Sequence, residues 1–382
     1  MHICFITHEY PKANYPHGGI GTFIQTFARA LVKEGHKVSI VGVNQYDFID
    51  EVYNDEGVDV YRLKLKKIKW LTWFFNFKSL NKKIKELHIA NSIDIVETPE
   101  LGLAFIKKIS GIKYVIRLHG GHHFFAESEE RGIDIWKGFQ EKRAFKKADG
   151  FIAVSDYVKS HTSKYLSYHN KPNAKINYPI NLDRFQPKPE IKVDDNKLLF
   201  AGTVCEKKGI RQLIIAMKKV LEVYPETILE IYGRDWFFKD GRSYIQYLKD
   251  YVIPQLGEYK NHIVFKGVVS LEELSEQYAS ARVCVFPSLM ETQGLVAPEA
   301  MAMEKVVLFT ELGPGPETIN HQETGLLCNP YNIDSISSNI LWVLNNSEIC
   351  IEIAKNGRKY VESTFNLNTI VDKNIAFYKS LG

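Results

Sequence analysis

The sequence predicts an α/β protein built from two doubly wound domains in tandem. Its 382 residues exceed what one ordinary core organises, and length alone favours two domains of roughly 190 residues each. Short apolar, β-branched runs alternate with helix-like runs, the pattern of parallel sheets covered by helices on both faces. Between the two sets lies KPNAKINYPINLDRFQPKPEIKVDDN, four prolines in a stretch of little periodicity around residues 170–195, which reads as a linker. The domains are therefore expected at 1–180 and 181–364, with a helix at about 365–382 packing back on the first.

In chain order, HICFIT is the first strand. A loop through HEYPKANYPHGG leads to a helix from about Thr22 to Glu34, stopped by Gly35, and KVSIVGV is the next strand, a βαβ opening. Strand signals recur at SIDIVE, KYVIRLHG and GFIAVS, separated by helix-like runs such as KGFQEKRAFKKA. The second set begins with strand KLLFAGT and helix GIRQLIIAMKKVLEVY, then strand TILEIYG and a long helix through Tyr259. HIVFKG, RVCVFPS and KVVLFT are further strands, with LEELSEQYAS and APEAMAM as the helices between them, and from Ile333 to Leu381 the chain reads as mostly helical.

Composition narrows the class. Hydrophobic content of 45% with 25% charged is ordinary for a soluble globular protein. Five scattered cysteines, Cys4, Cys205, Cys284, Cys328 and Cys350, form no C-x-x-C, so reduced thiols in a cytoplasm are the simplest account. The chain opens without a basic n-region, and no eighteen apolar residues run together; neither export nor a membrane span is expected. Basic residues outnumber acids by 29 − 21 = 8 over residues 1–190, whereas the rest has 20 − 24 = −4.

Much of the basic excess lies between Arg62 and Lys85, where nine basic residues and no acid surround Trp70, Trp73, Phe74, Phe75 and Phe77. Such a segment suits an anionic membrane surface. It also suits a core element with solvated lysines. Nucleic acid ranks below both, since no recognised nucleic-acid motif accompanies the segment, and none is expected as a partner.

The polar clusters all fall at carboxyl ends of predicted strands, where open α/β sheets bind ligands. Gly18, Gly19 and Gly21 precede the first helix, where backbone can approach a phosphate or sugar. His119 closes the KYVIRL strand; as a neutral imidazole it can hydrogen-bond a sugar hydroxyl, while His122, His123 and Phe124 could meet an acceptor. The HGGHH run lacks metal-ligand spacing, so no metal is expected. Gly202 and Thr203 end the KLLFAGT strand, with Lys207 and Lys208 just before a helix start, where a lysine can neutralise a leaving diphosphate. Tyr232 and Gly233 end one strand and Gly267 and Val268 another, offering groups to a nucleotide base. GPGPE at 313–317 is a further glycine-rich turn.

The most informative stretch is SLMETQGLVAPEAMA, 288–302, with Glu291 and Glu299 eight positions apart across a strand-to-helix turn. Between them Gly294 admits close approach, and the N–H groups of Leu295 and Val296 at the helix start would face an anion. An ionised carboxylate is acceptor-only, so one can take a ribose diol and the other sugar hydroxyls.

Taken together, GG near the start, HG mid-way, G-x5-KG at 202–209, YG, FKG, PS-x2-E-x7-E and PE before TGLL resemble the retaining nucleotide-sugar glycosyltransferases of family 4, across nearly the whole chain. The resemblance implies the GT-B fold, two Rossmann-like domains facing a central cleft, with the nucleotide sugar on the C-terminal domain and the acceptor on the N-terminal one. It implies that Lys208 meets the phosphates, Glu291 the donor sugar and Glu299 the ribose, with Gly19 near the phosphates and His119 near the sugar. Transfer would proceed on one face of the donor, the departing phosphate helping to deprotonate the acceptor, with no cofactor beyond the co-substrate. Three positions depart from the family pattern: Thr203 stands where an arginine is usual, with Lys207 or Arg211 as replacements; Gln293 stands for an aromatic; Glu304 stands where glycine often lies. No D-x-D triplet occurs, which argues against a metal-bridged diphosphate. The expectation is a cytoplasmic hexosyltransferase, peripheral at the inner face of the plasma membrane. It would use a UDP-sugar or, second, a GDP-sugar, and build surface polysaccharide such as lipopolysaccharide or capsule on a glycan or lipid-linked acceptor. A nucleotide-sugar epimerase or hydrolase and a non-catalytic binding subunit are the alternatives.

Overall fold

A computed structural model describes residues 1–12, 15, 18–128 and 132–382, so residues 13, 14, 16 and 17 of the first loop lie outside it. The chain divides into two compact units, Met1–Pro179 with Leu367–Gly382, and Ile180–Asn366.

The first unit runs β1 (His2–Ile6), α1 (Gly19–Lys33), β2 (Lys37–Asn44), β3 (Glu51–Asp55), β4 (Val58–Lys64), α2 (Thr72–Ala90), β5 (Ile95–Thr98) and β6 (Lys113–Leu118). It continues with α3 (His122–Ser128), α4 (Ile135–Lys147), β7 (Gly150–Ala153), α5 (Asp156–Ser163) and β8 (Asn173–Lys175). The eight strands form one sheet in the order β3-β4-β2-β1-β5-β6-β7-β8, parallel except for β3 against β4. β1 and β5 are buried at every position, as both-face burial in a parallel sheet requires. Side-chain oxygens of Asp134 and Ser155 accept from backbone N–H groups and fix the starts of α4 and α5, each such cap contributing about 1 kcal/mol.

The second unit runs β9 (Asp194–Ala201), α6 (Ile210–Val223), β10 (Ile228–Tyr232), α7 (Tyr244–Tyr247), β11 (Ile263–Gly267), α8 (Leu271–Ser280) and β12 (Ala281–Phe286). After it come α9 (Val296–Ala302), β13 (Val306–Thr310), α10 (Gly315–Thr318), β14 (Leu326–Cys328), α11 (Ile333–Asn345) and α12 (Ser347–Thr364). Its six parallel strands are ordered β11-β10-β9-β12-β13-β14. Connections from β9 pass to one side through β10 and then to the other through β12, so the crevice beyond the carboxyl ends of β9 and β12 is a topological switch point.

The last helix, α13 (Leu367–Ser380), belongs to the first unit. A fully buried guanidinium ties it there: Arg117 of β6 donates to Glu97 of β5 at 2.6 and 3.0 Å and to Asn374 Oδ1 at 2.6 Å, while the Tyr378 hydroxyl donates to Glu97 at 2.5 Å. A buried charge is tolerated only when it is paired and hydrogen-bonded in this way.

Two expectations about the elements are corrected. The long helix through Tyr259 is broken into α7, a π turn at Leu248–Val252 and a 3₁₀ segment at Ile253–His262 with Gly257 at φ 65°. Pro254 has no N–H to donate and its ring clashes with the preceding turn, and Gly257 then reverses the backbone. The β3–β4 hairpin was not foreseen; it turns on Glu56 and Gly57, both at positive φ, as a two-residue hairpin of this twist demands.

The basic aromatic segment divides between core and surface. Arg62 is buried and donates to the carbonyls of Tyr10 and Pro11 and to the Tyr53 hydroxyl, so it is no surface charge. Asn76, Leu80 and Ile84 form the buried face of α2. Trp73 packs on Phe105 and Trp136 at centroid distances of 4.5 and 5.5 Å, and Trp136 stacks on Phe139 at 5.7 Å. Beside them Trp70 is 85% exposed and Ile135 89%, with Leu71, Phe74, Trp136 and Phe139 also open. Trp70 holds φ 65°, uncommon for a bulky residue.

Candidate active site

In the second unit the loop after β9 and the loop after β12 are tied to each other. The carbonyl of Lys207 accepts from the N–H groups of Leu289 and Met290 at 2.9 and 3.3 Å. Gly209, at φ 69°, starts α6 directly against the end of β12, where a Cβ would lie 1.8 Å from the Pro287 carbonyl oxygen; only glycine fits. This contact delivers the Lys208 ammonium to the Glu291 carboxylate in a short ion pair, and the Ser288 hydroxyl donates to the same carboxylate at 2.9 Å. Gly294, at φ 78°, turns the chain where a side chain would strike the Phe309 ring.

Glu299 follows in the first turn of α9. Its carboxyl is buried, with the Tyr278 hydroxyl 3.5 Å away as its side-chain partner, at the outer limit of a hydrogen bond. Burial pushes its pKa up to about 7, against the pull of that hydroxyl and of Arg184. This carboxyl retains acceptor capacity inside a poorly solvated site. Leu295 already has helical backbone angles, so its N–H and that of Val296 open the helix without intrahelical partners.

Other predicted residues divide. Gly202 and Thr203 follow β9, Gly233 follows β10, and Gly267 ends β11, its carbonyl accepting from Gly233 N–H at 2.8 Å. Val268, 68% exposed, is an open apolar side chain at that end. Tyr232, offered as a base contact, is instead buried. Its hydroxyl lies 2.6 Å from Glu230 and 2.8 Å from Gln277, so the ring belongs to the core. Arg211, a candidate to replace the missing arginine at position 203, is held by Glu206 through Nε at 3.1 and 3.0 Å and Nη2 at 2.7 Å. Sequence reasoning passed over Ser288 and Arg234. The Arg234 Nε lies 3.4 Å from Thr203 Oγ1, and its place directly after the YG of a strand end was the available signal.

In the first unit, Gly18 caps α1 without a side chain and Gly19 is its first residue. His119 is buried, its Nδ1 bonded to the Tyr178 hydroxyl and its ring stacked on that phenol. Burial, with the charge of Arg117, drops its pKa to about 3, so the imidazole is neutral at physiological pH. Two carboxylates that the sequence did not single out hold the turn after it. Glu100 accepts from Gly120 N–H at 2.8 Å; Glu141 accepts from the N–H groups of His122 and His123 and from the His123 ring. Burial and the neighbouring Glu141 push Glu100 up to about 8. His122 Nε2 accepts from Asp134 N–H at 2.8 Å. Phe124 is buried with its ring on His161 at 4.6 Å. His123 and Phe124, read as acceptor contacts, are thus engaged inside the unit. Apolar packing and the Glu141 anchor turn them inward.

Two parallel sheets, each with polar groups at its strand ends, define the class, and comparison with solved structures agrees. Sucrose-phosphate synthase from Thermosynechococcus elongatus superposes with a TM-score of 0.85 at 23% identity, over 100% of this chain and 98% of that one. Anabaena HepE in complex with UDP-glucose superposes at 0.78 with 16% identity, over all of both chains. The fold is GT-B. An uncharacterized glycosyltransferase of Methanocaldococcus jannaschii is 28% identical over 99% of this chain and 98% of its own length. The glycosyl transferases group 1 model matches residues 182–360 and the Glycosyltransferase Family 4 model residues 17–184. The chain belongs to the family-4 glycosyltransferases.

Proposed function

We propose that this glycosyltransferase moves a hexose, with retention at the anomeric carbon, from a nucleoside diphosphate sugar to a glycan or lipid-linked acceptor in surface polysaccharide biosynthesis. UDP-sugars are favoured and GDP-sugars second. The observation that carries the reading is the switch-point cluster of the second unit, where the Lys208–Glu291 pair sits on tied loops and the buried Glu299, its Tyr278 partner 3.5 Å away, follows in the first turn of α9. Lys208 meets the diphosphate as a point charge, Glu299 takes the ribose diol, and Glu291 orients sugar hydroxyls while holding the lysine. The bond from C1 to the phosphate oxygen breaks as the acceptor oxygen bonds C1 on the same face. The acceptor's proton passes to the departing phosphate, so no protein nucleophile is needed. Preorganised positive groups at the leaving diphosphate are the main source of rate. No D-x-D occurs, and transfer is expected to survive EDTA.

The open aromatic surface around Trp70, Phe74 and Trp136, next to lysines 64–85, supports docking on an anionic leaflet. No helix among the described residues is long and apolar enough to cross a membrane.

Incubating the protein with UDP- and GDP-hexoses and a lipid-linked glycan acceptor tests the reaction. An α-linked product from an α-linked donor is expected; an inverted product, or turnover of donor to an epimer without acceptor, contradicts the reading. Sedimentation with anionic liposomes tests the surface. Trp70→Ser with Phe74→Ser should reduce binding, and equal binding would exclude this face.

A further inference from the structure

We propose that Arg234 is a donor-binding residue of the second unit, gripping the diphosphate of the nucleotide sugar, and that Thr203 aims it. Backbone pairing between the ends of β9 and β10 continues beyond the named strands. Gly202 N–H donates to the Tyr232 carbonyl and Val204 N–H to the Arg234 carbonyl, both at 2.9 Å, and Val204 bridges to Asp235. Thr203 and Arg234 are therefore neighbours fixed by bonds on both sides. The 3.4 Å contact from Nε to the threonine hydroxyl directs the guanidinium and leaves Nη1 and Nη2 without a protein partner among the described residues.

Charge balance separates this arginine from three other cations at the same sheet end. Lys208 is paired with Glu291, Arg211 with Glu206, and Lys266 with Glu230 at 3.2 Å. Among the described residues Arg234 has no carboxylate within ion-pair distance, although it is an exposed side chain at the end of a central strand beside the loop that carries Lys208. A diphosphate brings about two negative charges, which the neutral Lys208–Glu291 pair does not balance. A guanidinium with two free N–H edges matches phosphate oxygens bidentately, which an ammonium does not. The threonine at position 203 is short enough to leave that space to Arg234.

This inference rests on the donor reading above, and titration calorimetry with UDP, GDP and ADP separates the two. Wild type is expected to bind UDP or GDP. Arg234→Ala should bind the same nucleotide on the order of 10- to 100-fold more weakly, the range for a charge-assisted hydrogen bond. Arg234→Lys should fall between, and Thr203→Val should weaken binding severalfold. The fall of affinity with ionic strength should be shallower in Arg234→Ala, a readout that a packing defect would not move. Wild-type binding with Arg234→Ala inside twofold overturns the role of Arg234 and leaves the donor site standing. A wild type that binds none of the three overturns both.

Discussion

The strand-end clusters of the two units are built from similar residue types and differ in what they leave available. In the first unit Glu141 is occupied by two backbone N–H groups and the His123 ring, Glu100 by Gly120, and the His119 Nδ1 by Tyr178. These groups shape a turn. In the second unit, among the described residues, Glu299 is buried with the Tyr278 hydroxyl 3.5 Å away as its side-chain partner, and the exposed Arg234 guanidinium contacts only Thr203. Polar groups buried and satisfied rigidify a site, whereas a buried carboxyl with capacity to spare and an exposed cation without a carboxylate are stabilised by a ligand. On the reading proposed above, the difference separates framework from binding surface.

Breaking the second cluster should have the largest effect. Lys208→Ala is expected to lower kcat/KM for donor by about 100- to 1,000-fold, measured by product formation at subsaturating donor with the melting temperature as a check on folding. If the loss is under threefold, Lys208 is not the group that meets the leaving diphosphate.

The first cluster should answer through stability. Unfolded, Glu100 loses its proton near 4.5, whereas the native carboxyl keeps it to about 8. Between those values the native state binds one proton more than the unfolded chain, so this residue makes stability fall as pH rises through that window. The loss is on the order of a few kcal/mol. Glu100→Gln carries no charge in either state, so denaturant midpoints at pH 5 and pH 8 should lie closer together in the variant than in wild type. Equal separation would mean Glu100 ionises normally in the fold.

Glu299→Ala sharpens the contrast at a smaller scale, with nucleotide affinity expected to drop about tenfold and the fold retained. Smallest is Glu304→Gly. Glu304 holds φ 53° just after α9, where a side chain costs energy that glycine does not. The gain in unfolding free energy is expected to be at most about 1 kcal/mol, visible as a small rise in the melting temperature.

The alternation of apolar runs made both sheets legible, because a parallel strand buried on two faces has a composition that few other segments share. β14 is three residues long and β3 alternates half-open positions, so neither carries that signature. The Glu291–Glu299 spacing was legible because one turn of defined length separates the two carboxylates. The placement of Tyr232 was not. Whether a strand-end tyrosine faces ligand or core depends on Glu230 and Gln277, and Gln277 is 45 residues away along the chain. The same limit hid Glu100 and Glu141, whose partners come from the turn after β6 and the start of α3. Glu304 stands where glycine often lies in the family pattern, and its φ of 53° supplies the reason for glycine there. Thr203 drew notice for the residue it replaced, while the contact that gives it meaning comes from the adjacent strand.

The most direct measurement is a crystal structure of the protein soaked with UDP or GDP. The account expects the diphosphate beyond the ends of β9 and β12, with an oxygen on the Lys208 ammonium and the ribose hydroxyls on Glu299. A nucleotide bound elsewhere, with Lys208 and Glu299 untouched, would contradict it.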